Sequence, residues 1–255
     1  MGLAATLINI AFNYLYFKLA FTESTVSEVT YRYDSLFTPA GYAFSIWGVI
    51  YASFLIYSIA QLLPVHKNDV IYDKLSLPFI LVNLLCVTWI NVFSNNLIGY
   101  SVGIIAAMLF FGGILFGKAK EAYLYEGNNF WLTVPFSLFL GWVSVASIAN
   151  VSLLLISMNW RGGTLGESTW TIMMISATLL LITAISIAYR DFIYPLVAGW
   201  GCIAIGINQA GNHKQVANVA LIAGIVLTLW SVGYAIWHFR NSRLVSGRYR
   251  SHIDA

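Results

Sequence analysis

Two stretches hold the side chains that could do chemistry in this chain. In the first, Phe44, Trp47, Gly48 and Tyr51 fall at i, i+3, i+4 and i+7, so three rings share a helical face with a glycine between them. A small residue walled by flat rings makes a notch suited to a planar apolar ligand. In the second, Trp142, Ala146 and Asn150 fall at i, i+4 and i+8. They offer an indole to stack on, a gap and an amide for one hydrogen bond. The same residue types also suit plain packing, with Gly48 or Ala146 admitting a neighbouring helix closely. Other chemistry is thin. His66, His213 and His252 lie in loops or the tail and His238 at a helix end, none at metal-ligand spacing. No phosphate loop and no nucleophile with a base is legible, so no catalytic residue and no metal ligand is assigned.

The elements that must position these stretches follow from composition. Of 255 residues, 59% are hydrophobic and 9% charged, and the mean hydropathy is +0.77. A soluble domain carries about a quarter charged residues. The chain is therefore all-α and membrane-embedded, a polytopic transmembrane helix bundle. At about 20 residues per span, seven or eight helices fill it. A first helix over 3–21 carries Asn9 and Asn13 one turn apart, amides that need partners inside a bundle. The polar stretch 22–38 reads as a long loop, either a solvated linker or a lid. Further helices are expected over 42–63, from Pro78 through Asn83 and Trp89, over 99–117, over 130–158, over 168–189 and over 216–239. The helix over 99–117 reads as a packing helix, and no charged residue falls in the middle of any expected helix. Arg190 and Asp191 read as a tight polar break. The apolar run 192–207 is short for a span, and a re-entrant segment is its alternative.

Charge decides between them. If 192–207 spans, one side holds Lys67, Lys74, Lys118, Lys120, Arg190 and the tail arginines 240, 243, 248 and 250. The other holds Lys18, Arg32, Arg161 and Lys214. Without that span the bias vanishes, so eight spans with both termini on the cytoplasm-like side are favoured. Cys86 and Cys202 sit in apolar segments and read as inert thiols.

The aromatic stretch after Pro39 resembles the second helix of the translocator protein family, the tryptophan-rich sensory proteins also called peripheral benzodiazepine receptors. Trp47 and Tyr51 keep that family's spacing, although Ile46 replaces its proline. Trp142, Ala146 and Asn150 match the family's fifth helix at the same spacing. Asn83 matches its third helix, where Cys86 stands in the usual Trp position and Trp89 is the nearest indole. The resemblance covers a five-helix core, residues 1–161, and leaves 162–255 as about three additional helices and a basic tail. It implies a pocket inside the bundle for a porphyrin-like tetrapyrrole, including haem, or for a sterol or similar apolar molecule. Phe44, Trp47, Tyr51, Asn83, Trp142, Ala146 and Asn150 would line it, under a lid formed by 22–38. The expected partners are that ligand and the lipid bilayer, with a homodimer as the protein assembly considered and no nucleic acid. Rival readings are a membrane enzyme acting on a pigment or lipid, and a structural subunit of a membrane complex.

Overall fold

A computed structural model describes residues 1–18, 24–127 and 129–251 of the chain. Among the described residues the regular structure is helical: α1 Gly2–Lys18, α2 Val26–Arg32, α3 Ile46–Ala60, α4 Val70–Ser94, α5 Ile98–Tyr125, α6 Val134–Ser157, α7 Glu167–Ala188, α8 Ile193–Gln209 and α9 Lys214–Ser251. Six helical segments are long and apolar enough to cross a membrane, namely Gly41–Ala60, Val70–Ser94, Ile98–Tyr125, Phe130–Ser157, Glu167–Ala188 and Lys214–Arg240. This is the multi-pass helix bundle that the composition requires.

Helices α1 and α8, 17 residues each, run beside the long ones. The segment 192–207 is a continuous helix and not a re-entrant turn. Asp191 before α8 meets Ser137 near the start of α6, whereas Asn208 donates to the Thr38 carbonyl near the start of α3. Helix α8 therefore runs the bundle from end to end. It can do so at this length because most of it is covered by protein, packing on α6, α7 and α9. Its contact with α9 is backbone-close. A Cβ on Gly199 would stand 3.0 Å from the Gly224 carbonyl, and one on Gly224 would stand 2.9 Å from that of Gly199. Facing glycines thus take the place of side chains where these two helices cross.

Two expectations need correction. The stretch 22–38 is not all loop, because Val26–Arg32 forms α2. Thr25 caps it, accepting from Glu28 N–H at 3.2 Å, while the Glu28 carboxylate accepts from Thr25 N–H at 2.6 Å. Residues 19–23, the expected end of the first helix and start of the loop, lie outside the described residues. The helix expected to stop at Gly117 continues as α5 to Tyr125, and the last helix continues past Phe239 to Ser251. The longer α5 carries Lys120 in its last turns.

Lys120 of α5 and Asp191 are both fully buried, with Nζ 2.6 Å from Oδ2. A cation withdrawn from water this completely is tolerable only when paired. Beyond Asp191 the ammonium makes no polar contact among the described residues, but faces the rings of Phe116, Tyr123 and Phe130 at 6.0, 5.7 and 5.8 Å from their centroids. The carboxylate is better served. Oδ2 also accepts from Ser137 Oγ of α6 at 2.6 Å, and Oδ1 accepts from Tyr194 N–H in the first turn of α8 at 2.6 Å. Tyr123 and His238 of α9 complete the cluster with a 3.1 Å hydrogen bond. The pair therefore ties α5, α6 and α8 together, and the Tyr123–His238 bond adds α9. Lys120→Met is expected to destabilise the protein by about 3–5 kcal/mol, because Asp191 is left charged and buried. Combining it with Asp191→Asn should recover most of that loss in a detergent unfolding titration. Equal losses in the single and double variants would contradict this account.

Candidate ligand cavity

Trp47 is the hub of the site. It stacks on Tyr51 one turn later, with centroids 5.5 Å apart and an interplanar angle of 21°. It also meets Trp89 of α4 at 6.3 Å and, edge to face, Trp142 of α6 at 6.5 Å. Phe44 completes the set, 6.0 Å from Trp142. It sits in the 3-10 turn Gly41–Ser45 that precedes α3 and not in the α-helix itself. The indoles expected from two separate helices therefore converge.

Their outer faces border a cavity of about 770 Å³, reached by Phe44, Trp47, Gly48 and Tyr51, by Trp89, and by Asn13 and Tyr14 of α1. That volume falls within the range of small-molecule sites. Among the described residues, a Cβ on Gly48 would meet nothing within 4 Å. This glycine accordingly opens onto the cavity and admits no neighbouring helix. The shape has a cause in the α1–α3 pairing. Thr6 and Ser58 bond at 2.8 Å at one end, while near the other end the two helices stand apart around Asn13 and Gly48. Exposed Tyr14, Tyr42 and Ala52 form the rim, so the cavity opens on the flank of the bundle.

The α6 residues stand behind this wall. Trp142, Ala146 and Asn150 border a smaller hollow of about 30 Å³, which shares Val26, Phe44 and Trp89 with the large cavity. Such a space holds a water molecule or a small ligand group. Trp142 is 2% exposed, and its indole N–H is without a partner among the described residues. A buried donor of that kind is costly until something accepts from it. Asn150 is occupied: its Oδ1 accepts from Trp89 Nε1 at 3.0 Å, and its Nδ2 donates to Ser101 Oγ at 2.9 Å. The amide therefore orients the Trp89 ring. Asn83 borders neither cavity. It accepts from Asn9 Nδ2 at 3.0 Å and donates to the Phe79 carbonyl at 2.9 Å, an interhelical link that satisfies the α1 amide.

Two contributors were missed from sequence. Trp89 brings an α4 ring to the wall from one turn beyond Cys86, the place where the family pattern puts its indole. Helix α2 supplies Val26 to both hollows and Thr30 to the smaller one. It is held at the mouth by Tyr31 Oη donating to the Pro39 carbonyl at 3.1 Å, and by Tyr33 Oη donating to Asn96 at 2.8 Å.

A many-helix bundle with six segments long and apolar enough to cross a membrane defines a multi-pass membrane protein. A family model described as TSPO-like protein matches residues 1–233, and the chain belongs to that family. The matched region extends past residue 161 through α7, α8 and most of α9. No curated protein and no solved structure matches the chain.

The cover helix α2 carries a pH dependence. The Thr25 backbone N–H and then its hydroxyl hold the Glu28 carboxyl below its ordinary range. A depressed folded-state value contributes stability above the unfolded value and loses it as pH falls through the folded one. Hydrogen-exchange protection of α2, corrected for intrinsic rates, should therefore fall on acidification below the normal carboxylate range. Glu28→Gln should flatten that response.

Proposed function

We propose that this chain is a membrane sensor or carrier that holds a porphyrin-like tetrapyrrole, a sterol or a similar apolar molecule in the α1–α3–α4 cavity. The observation that carries the reading is the stacked Trp47–Tyr51 pair, backed by Trp89 and fronting a cavity of about 770 Å³. Phe44, Trp47 and Tyr51 would touch the ligand directly through ring stacking and apolar burial. Trp142, Ala146 and Asn150 would act from the second layer, with the free Trp142 N–H available to a ligand carbonyl or carboxylate. Asn83 supports the pocket through Asn9 and makes no ligand contact in this reading.

Gly48 gives the sharpest test. Gly48→Phe adds a ring where space is open and removes a glycine from a helix, so the fold should be kept or slightly stabilised. Protoporphyrin IX quenching of tryptophan fluorescence by the purified protein should nonetheless be lost. Trp47→Ala should weaken it about tenfold through lost stacking. Unchanged quenching in both variants, with melting temperatures unaltered, would refute the assigned cavity.

A further inference from the structure

A second hollow, of about 190 Å³, lies at the opposite end of the bundle from the aromatic cavity. It is bordered by Tyr57 of α3, His66 and Asp69 of the α3–α4 loop, Tyr72 of α4, and Trp131 and Pro135 at the entry to α6. Its size lies below the ~300 Å³ at which drug-sized pockets begin, which leaves room for a small ligand only. Tyr57 is 4% exposed, and its hydroxyl has no partner among the described residues, so the inner wall offers one buried polar group. The walls are ring-rich: Tyr72 lies 5.7 Å from Tyr57 and 5.2 Å from the His66 imidazole. Trp131 is 70% exposed although it is a large apolar side chain. Asp69 supplies a carboxylate, contacted by His66 Nδ1 at 2.6 Å. Of the nearby lysines, Lys74 pairs with Glu126 at 3.3 Å and Lys118 donates to the Lys74 carbonyl at 3.3 Å, while Lys67, next to His66, is exposed.

Rings around a small hollow beside a carboxylate are the chemistry that holds an organic cation. An ammonium would need acceptors for three N–H groups. Here Asp69 is already engaged by His66, and the Asn129 side-chain Oδ1 by Trp131 N–H. A cation without N–H donors suits these walls better. We propose that this hollow binds the trimethylammonium group of a choline-type molecule, either free or as a lipid headgroup. Asp69 is the counter-ion, Tyr72 and Trp131 are the ring walls, and the Tyr57 hydroxyl partners the ligand's oxygen.

Calorimetric titration of choline into the full chain in maltoside detergent tests this, with the neutral isostere 3,3-dimethylbutan-1-ol alongside. Choline should bind saturably and at least tenfold more tightly than the isostere. Asp69→Asn and Trp131→Ala should each weaken it about tenfold with an unchanged melting temperature. Trp47→Ala, on the other cavity, should leave choline binding intact. Titration into phosphatidylcholine and phosphatidylglycerol nanodiscs separates the two sources. Weaker binding confined to the phosphatidylcholine discs assigns the hollow to a lipid headgroup, and equal binding assigns it to the free solute. No saturable binding, equal affinity for the isostere, insensitivity to both substitutions, or loss of binding in Trp47→Ala would each overturn the proposal.

Discussion

The buried Lys120–Asp191 pair is the constraint on which the rest of the bundle depends. Two opposite charges cannot leave water at full burial unless each finds the other, and here they lie on segments far apart in sequence. Apolar packing between membrane helices is only weakly directional, since lipid tails compete for the same contacts. An ion pair with a hydrogen-bonded carboxylate has one geometry. It therefore selects the register in which α8 lies against α5 and α6, where Gly141 lets the Tyr194 backbone approach closely.

With that register set, α8 shapes the other end of the bundle. The chain between α2 and α3 is bonded along it. Ala40 N–H donates to the Ala204 carbonyl at 3.0 Å, Trp200 Nε1 donates to the Ala43 carbonyl at 3.2 Å, and Asn208 holds the Thr38 carbonyl. This is the segment that delivers Phe44 and Trp47 to the cavity. The late helices are thus part of the scaffold that aims the early aromatic residues.

Much of this was legible in the sequence, for physical reasons that also mark where legibility stops. The spacing of Trp47 and Tyr51 and that of Trp142 and Asn150 are properties of one helix each, so a single helical repeat revealed them. Their convergence rested on resemblance to a family. Thr25 and Glu28 were readable as a capping box, yet the surrounding polarity made the stretch look like a loop. Lys118, Lys120 and Glu121 resemble a solvated helix end, and nothing local announces that Lys120 will meet Asp191. The partners of Asn150 and Asn83 were equally hidden. An amide shows from sequence that it needs a hydrogen bond, but tertiary structure decides whether a ligand or an indole receives it.

On the proposed function, the flank opening between α1 and α3 would set the phase from which a guest arrives. A solute that reaches the rings through acyl chains is drawn from a reservoir already enriched by its own oil–water partition. Occupancy then tracks moles of guest per mole of lipid, and a given aqueous dose saturates the protein more fully in a small bilayer volume than in a large one. Even modest intrinsic contacts with Trp47 and Tyr51 can fill such a site, because the membrane has already done most of the desolvation.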